Sequence, residues 1–385
     1  MSTARAPERI GIAGFLLGAA GMFATMYSTQ AILPELSRDL GVTPSRAGLT
    51  ISSVVVAVAV GAWLWGPLSD RIGRPAAMRL ASLCLVVPTA LVAVAPTLET
   101  LLICRVLQGL CMPGLLVAGA PYVVETIVPR VGARAMGWYV AALVAGGLVG
   151  RVGVALAAGV VGWRLALAAL ALLPLASAVA MRGALEDGDR APRNGVPWRA
   201  VIRPPLVAVT LAGGALFFSF VGVFTYVMYR LVEPPFSLDV QTASLVFLVW
   251  VSGALGPVAG RVAERIGWWR LAVGALFLAV VGVTATLTTV LPVVVVGLAC
   301  LATATFSGYT AAQLGVSDVA RASRGVASAF FFSAYYAAGA LGAYLPGLAW
   351  ERWGWGGVGA AGLVALALGL VALATLAPRF ANASP

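Results

Sequence analysis

Long apolar runs alternate with short polar segments along most of the chain. A helix needs about 20 apolar residues to cross the hydrocarbon core of a bilayer, and twelve runs approach that length. In the first half they span residues 10–33, 47–67, 80–98, 101–124, 135–161 and 165–181. In the second half they span residues 206–229, 240–260, 271–290, 293–316, 325–350 and 356–377. The pattern predicts an all-α membrane protein with 12 transmembrane helices.

Two stretches decide how these spans are grouped. Residues 182–203 mix acidic and basic side chains with Gly and Pro, which is typical of a linker between domains. Residues 271–317 carry no charge over 47 positions, which is too long for one span, and we divide them at Thr288, Thr289 and Pro292. We therefore expect a six-helix bundle in residues 1–181, a linker in 182–203 and a second six-helix bundle in 204–385.

The composition is typical of a membrane protein, and it affects how the positive net charge is interpreted. Hydrophobic residues make up 61% of the chain, charged residues only 10%, and the mean hydropathy is +0.98. The net charge of +11 does not indicate nucleic acid binding, because the arginines fall in short loops and form no continuous basic face. The four cysteines lie inside apolar runs without paired spacing, so we expect no disulfide, metal site or cofactor.

The arginines also predict the orientation in the membrane. All 25 basic residues are Arg, and 18 of them fall in the segments that share a side with the N-terminus. Cytoplasmic loops carry the excess of positive charge in membrane proteins. We therefore expect both termini and the linker in the cytoplasm, with the chain embedded as a monomer in the lipid of a bacterial inner membrane.

A charged motif occurs twice. The stretch from Gly66 to Arg74 reads Gly-Pro-Leu-Ser-Asp-Arg-Ile-Gly-Arg, and Gly, acid, Arg, Ile and Gly recur in the same register from Gly260 to Gly267. We expect both to form tight loops, in which Gly66 and Gly73 can adopt positive φ. A repeat at this spacing indicates two related halves, as in many secondary transporters.

The first copy resembles the signature loop between helices 2 and 3 of the major facilitator superfamily. Arg105, Gln108 and Gly109 are similar to the helix 4 motif of its proton-linked exporters. The end of helix 1 resembles the sugar-efflux-like and multidrug-efflux-like bacterial permeases, without the acid that many members carry there. Their antiporter motif in helix 5 is similar to the stretch from Gly146 to Gly150, without its usual proline.

The resemblance implies two rocking bundles around a central site for a small molecule, with proton antiport as the coupling scheme. It implies that Asp70 stabilises one of the two rocking states by contacting the start of the eleventh predicted span, near Gly325. Arg71 and Arg74 are candidates to pair with Glu125. The other gating candidates are Gly66, Gly73, Glu264 and Arg265.

Two arginines, Arg105 and Arg151, fall inside predicted spans, where a charged residue by default marks a functional site. Arginine stays protonated, so each needs water or several hydrogen-bond acceptors. The 14 acids all map to loops or helix ends and there is no histidine, so no titratable partner is evident. Three explanations stay open: Glu35, Asp39 or Glu125 reaches inward, coupling is unusual, or the arginines hold an anionic substrate or backbone carbonyls.

Small and aromatic residues complete the candidates. Glycines four apart let helices pack closely, and we assign that role to the pairs Gly146 with Gly150 and Gly256 with Gly260. Buried tyrosines need a partner for the hydroxyl, which favours a position beside a cavity. The cavity-lining candidates are Tyr27, Gln30, Tyr226, Tyr309, Gln313, Tyr335 and Tyr336. Such a pocket suits an amphipathic, partly apolar ligand.

Three classes of function fit a protein of this kind. The first is a secondary transporter, an exporter of a small organic molecule, with a carrier of organic anions recognised by Arg105 and Arg151 as its variant. The second is a membrane enzyme, which the missing intramembrane base, nucleophile and metal cluster argue against. The third is a receptor or lipid scramblase on the same scaffold.

Overall fold

The computed structural model describes residues 6–127, 134–182, 203–319 and 324–377, and the regular elements in these ranges are helices. The helices of the first half are α1 (Ala6–Met26), α2 (Leu33–Leu40), α3 (Pro44–Ile72), α4 (Arg74–Leu91), α5 (Leu98–Cys111), α6 (Pro113–Tyr122), α7 (Arg134–Leu148), α8 (Val154–Val161), α9 (Trp163–Ala169) and α10 (Leu172–Ala180). Those of the second half are α11 (Pro204–Val232), α12 (Val240–Ser244), α13 (Gly256–Ile266), α14 (Trp268–Ala285), α15 (Leu291–Val319) and α16 (Arg324–Leu376). Short 3₁₀ segments occupy Gln30–Ile32, Val92–Val94 and Leu245–Leu255, and π-helical segments occupy Val123–Ile127 and Val149–Gly153.

By length and composition, the described ranges hold ten or eleven helices that could cross a membrane, and the longest of them is kinked. Ten helices are long and apolar enough to cross a bilayer, and the bent pair Val240–Gly253 and Val258–Ile266 adds an eleventh. The helix α16 supplies two, because Gly354 has non-helical backbone angles. At about 1.5 Å per residue its 53 residues would otherwise measure more than twice the hydrocarbon thickness.

The chain divides into two compact units. Unit 1 comprises Met1–Val42 and Ser53–Pro192, and unit 2 comprises Thr43–Ser52 and Arg193–Pro385. The predicted boundary lies near this division, although most of the linker, residues 183–202, falls outside the described residues. The sequence did not indicate that the first turns of α3 group with the second half. There Ser52 donates a 2.7 Å hydrogen bond to the carbonyl of Ala340.

The repeated motif differs from the loop that the sequence predicts. Residues 66–72 continue α3 as helix, and residues 260–266 belong to α13. The connection in each half is a single glycine with matching angles, Gly73 at φ 87° and ψ 152° and Gly267 at φ 83° and ψ 153°. Positive φ at Gly73 agrees with the prediction, whereas Gly66 is helical. The two turns therefore share one backbone geometry, which Gly162, outside the motif, also adopts at φ 78° and ψ 155°.

Glycine and alanine set the packing of unit 1 around α1. A Cβ added to Gly146 or Gly150 would lie 2.6 Å from the Cα of Ala20 or Ala24, so only glycine allows α7 and the following π segment this close. The position of Gly260 is different, because an added Cβ would meet no atom within 4 Å. The close packing predicted for Gly260 is therefore not present, and the surroundings of Gly256 are outside the described residues.

In unit 2 the long helix α11 packs along α16 in the same manner. A Cβ added to Gly342 would lie 2.8 Å from the Cα of Phe218, and one at Gly222 would lie 2.8 Å from Cγ of Pro346. Close approach of these backbones brings the aromatic side chains of both helices into one layer. The resulting cluster is described below.

Candidate functional site

The first helix is broken where the candidate residues lie. After Met26 the chain forms a turn, then the 3₁₀ segment Gln30–Ile32, and it resumes as α2. Pro34 stands at the start of α2, and its missing N–H cannot continue the helical ladder. The predicted end of the first span at residue 33 was wrong, because the helix breaks before this position and then continues to Leu40. The break leaves the last carbonyls of α1 to find other donors.

Arg105 of α5 donates to those carbonyls. Its Nη1 lies 2.7 Å from the carbonyl oxygen of Thr25, and its Nη2 lies 2.6 Å from that of Met26. Only 1% of the side chain is exposed. A cation at a helix C-terminus also meets the negative end of the helix dipole. Of the alternatives that the sequence left open for Arg105, the structure shows hydrogen bonds to backbone carbonyls.

Gln108 extends this network to α4. Its Oε1 accepts from Arg105 at 2.8 Å, and its Nε2 donates to Oγ1 of Thr89 at 3.2 Å. The hydroxyl of Thr89 in turn donates to the carbonyl of Leu85 at 2.7 Å. Each group in this chain therefore has a defined donor or acceptor role. The network joins three helices through buried polar contacts.

Arg151 contacts the same break from the other side. Its Nε donates to Oε1 of Gln30 at 2.8 Å, its Nη1 donates to the carbonyl of Gly147 at 2.8 Å, and its guanidinium lies 4.4 Å from the ring centre of Tyr27. The residue lies in the π-helical segment Val149–Gly153 and has no exposed surface. Such π segments occur frequently at functional sites. Tyr27, Gln30, Arg105, Gln108 and Arg151 thus form one buried assembly in unit 1, which we call the helix-break cluster.

A second group of candidates meets in unit 2. The ring of Phe217 stacks on Tyr335 at 4.1 Å and meets Tyr336 edge-on at 5.8 Å, and Tyr309 lies 5.4 Å from Tyr335. Nε2 of Gln313 donates to the hydroxyl of Tyr309 at 2.8 Å. Phe217 and Tyr335 are buried, whereas Tyr309, Gln313 and Tyr336 are half-buried. We call this set the aromatic cluster.

The model of the Major Facilitator Superfamily matches residues 15–343 of the chain. The chain belongs to the Major Facilitator Superfamily. It is 29% identical over 370 residues to the MFS-type transporter YybF of Bacillus subtilis, covering 93% of this chain and 91% of that protein. It is 30% identical over 364 residues to the inner membrane transport protein YnfM of Escherichia coli, covering 91% and 86%.

The fold of this chain is also similar to that of a solved structure. It is a bacterial homologue of the human lysosomal transporter Spinster in an inward-facing and occupied conformation, with a TM-score of 0.77 at 15% identity and 98% of both chains covered. At that identity the likeness carries the fold alone. Together with the family match, it confirms the predicted all-α membrane fold. The chain is a multi-pass membrane transporter.

Some predicted site residues of this transporter lie elsewhere. Tyr226 does not line a cavity, because it is fully buried and donates a 2.6 Å hydrogen bond to the carbonyl of Ala343. Asp70, Arg71, Glu264 and Arg265 are exposed at helix ends. Arg74 is half-buried at the first residue of α4. The surroundings of Glu125 and Gly325 are outside what the structure describes, so the contacts predicted for them stay predictions.

Several site groups of the transporter could not be selected from sequence. The side chains of Thr25 and Met26 do not indicate that their backbone carbonyls accept hydrogen bonds from Arg105. Thr89 is one threonine among many. Phe217 is one of 14 phenylalanines. Pro34 is not a signal for these carbonyls, because its missing N–H would leave the carbonyl of Gln30, four residues earlier, without a helical partner. In the described ranges no group of three His, Cys, Asp or Glu side chains is arranged to hold a metal ion.

Proposed function

We propose that this chain is a secondary transporter that exports a small amphipathic organic molecule by alternating access, in exchange for protons. The observation that carries the proposal is the aromatic cluster, in which stacked rings surround one polar pair, Gln313 with Tyr309. Such a surface favours a ligand with a flat apolar part and few hydrogen-bonding groups. The half-buried side chains supply the part of that surface that a ligand can reach.

The helix-break cluster supports a mechanical role for the two arginines. The contacts of Arg105 include two carbonyls at the end of α1, the hydroxyl of Ser28 and the amide of Gln108, and those of Arg151 include Gln30 and Gly147. These acceptors are fixed parts of the protein, so the geometry favours holding the break of the first span over binding an organic anion. In the proposed cycle the cluster keeps this break in one shape while the bundles move.

Export and proton exchange are supported by the motif around Arg105 and Gln108, which resembles that of proton-linked exporters. The arginine distribution supports an N-terminus and linker in the cytoplasm, and the E. coli relative is named as an inner membrane protein. We propose the inner membrane, with the exposed Asp70 and Glu264 at its cytoplasmic face, as the site of action. There these acids and the neighbouring arginines act in gating.

The experiment is a transport assay in proteoliposomes with and without an imposed pH gradient. A panel of fluorescent amphipathic cations, anions and neutral aromatic compounds is loaded inside, and release is followed against protein-free vesicles. We expect the gradient to drive movement of an aromatic amphipath and proton counter-movement detected by an internal pH dye. Transport that is indifferent to the gradient contradicts proton exchange, and passive movement of lipid alone favours a scramblase.

The protein can insert into vesicles in both orientations. The fraction in each orientation is measured by the access of a site-specific protease or a biotin label to the N-terminus. A matched variant, Tyr309→Phe, removes the polar group from the aromatic cluster while keeping the ring. If the cluster contacts the substrate, this variant alters the apparent affinity without altering the proton coupling ratio. An unaltered affinity across the panel contradicts the assignment of the site.

A further inference from the structure

An apolar groove of about 560 Å³ opens on the surface of unit 1 between α4 and the pair α9 and α10. Its walls are aliphatic and include Val86, Ala90, Val161, Leu165, Ala169 and Leu175. These helices are membrane spans, so the groove faces a medium of lipid.

The groove exists because the sixth span is interrupted and its residues there are small. The α-helix α9 ends at Ala169 and α10 begins at Leu172, with a tighter turn between them in which Ala171 N–H donates to Ala168 at 2.9 Å. Alanine at positions 168, 169 and 171 supplies no side chain long enough to fill the space beside α4. The exposed leucines 165 and 172 form the rims.

The length of the groove matches one leaflet. From Leu165 to Leu175 the chain advances ten residues, about 15 Å at the helical rise of about 1.5 Å per residue. The hydrocarbon core is about 30 Å thick, so the groove extends from the membrane boundary near Gly162 to about the midplane. An acyl chain of one leaflet covers the same depth.

A pair of charges stands at the boundary end of the groove. Arg164, which directly precedes Leu165, contacts Oδ2 of Asp39 at 2.6 Å, and the two side chains remain 34% and 45% exposed. The indole of Trp163 donates to the same carboxylate at 3.1 Å, and the guanidinium lies over its ring at 4.2 Å. Tryptophan is enriched at membrane boundaries, at the level of lipid headgroups. The guanidinium is therefore held at headgroup depth beside the groove.

We propose that this groove binds one acyl chain of a phospholipid whose phosphate contacts Arg164. The apolar walls alone give little selectivity, because bilayer tails are as apolar as the groove. The phosphate supplies the specific contact, since guanidinium and phosphate form short charge-assisted hydrogen bonds.

Native mass spectrometry of the detergent-purified protein tests the groove. Phosphatidylethanolamine is added in steps, and the bound fraction is compared with that of diacylglycerol carrying the same acyl chains. Ala169→Phe places a ring in the groove, and Ala176→Phe is the matched control at an exposed position of the same membrane span, outside the residues that line the groove. We expect the tight phosphatidylethanolamine adduct to be lost in Ala169→Phe and kept in Ala176→Phe. Equal retention or equal loss in both variants overturns the proposal.

A second pair of variants tests the headgroup contact. Arg164→Gln and Asp39→Asn both break the same ion pair, but only the first removes the phosphate ligand, together with the 3.3 Å hydrogen bond from Nε of Arg164 to the carbonyl of Ala95. We expect Arg164→Gln to bind phosphatidylethanolamine about fivefold more weakly, equivalent to about 1 kcal/mol, with diacylglycerol unaffected. Asp39→Asn keeps the phospholipid within about twofold of wild type. Matching losses in both variants would mean that the ion pair only maintains the fold, and the assignment of the phosphate would be wrong.

Discussion

Replacing Arg105 by lysine removes the forked guanidinium and keeps the charge. The wild-type side chain serves Thr25, Met26 and Gln108 at 2.7, 2.6 and 2.8 Å while 1% exposed. Lysine carries a single ammonium on a flexible stem and cannot reproduce the planar spacing of the two nitrogens. We expect it to keep one of the three contacts.

The size of the loss depends on the reference state. A hydrogen bond to a charged group contributes about 1.5–3 kcal/mol in soluble proteins, but interhelical bonds in membranes average only about 0.6 and reach about 1.7 kcal/mol. The smaller scale applies because α1 and α5 are both membrane spans, whose unfolded form also finds partners. Two lost bonds then cost about 1–2 kcal/mol in the free energy of unfolding. For a unit of this size that lowers the melting temperature by about 2–8 °C.

Two measurements check the Arg105→Lys variant. Thermal unfolding in detergent is followed by fluorescence of the 11 tryptophans, and hydrogen exchange is followed in the peptide that covers residues 25–32. We expect a lower melting temperature and faster exchange confined to this peptide. Arg46→Lys, at an exposed arginine, is the matched control and should leave both unchanged. Wild-type stability and wild-type exchange in Arg105→Lys would refute the conclusion that the guanidinium holds the break.

Three further predictions follow from the described geometry. Gly73→Ala should lower the free energy of unfolding by about 1–3 kcal/mol, because the backbone φ of 87° at this position is strained for any residue with a side chain. Gly66→Ala is the control. Gly66 is helical with open space around it, so this variant should shift the melting temperature by less than about 2 °C. Tyr309→Phe should raise KM for an amphipathic substrate about two- to tenfold, the effect of one neutral hydrogen bond between the tyrosine hydroxyl and the substrate, and an unchanged KM counts against contact with substrate. Asp70→Asn should fold normally but transport more slowly, since the exposed acid is proposed to act in gating; initial rates equal to wild type would remove that role.

Span positions could be predicted because hydrophobicity is a local property of the chain. The division of the uncharged stretch holds, since α14 ends at Ala285 and α15 begins at Leu291. The position of the turn in the repeated motif could not be predicted in this way. Charge clustering indicated a loop from Gly66 to Arg74, yet the helix runs through Asp70 and turns only at Gly73. Polar residues at a membrane boundary are compatible with helix, so polarity alone does not locate the turn.

The site could be predicted in part. Arg105 and Arg151 stand out because a charge in an apolar span is costly and rarely accidental. Their acceptors do not stand out, because backbone carbonyls are present at every residue and become available only where a helix breaks. The sequence also does not distinguish Tyr226 from Tyr309, because both are tyrosines in apolar spans. In the structure Tyr226 is buried against Ala343, whereas Tyr309 is half-buried in the aromatic cluster.

The sequence by itself determined the membrane class, the positions of most apolar spans, the repeated motif and the residues whose charge needs an explanation. Each of these follows from the composition of a local window or from the comparison of two windows. Only the tertiary structure decided that the two arginines share one broken helix, that Thr43–Ser52 group with unit 2, and that the alanines of the sixth span leave a groove. These features depend on which helices become neighbours, and the packing of small residues that selects the neighbours is not encoded in any single stretch of the chain.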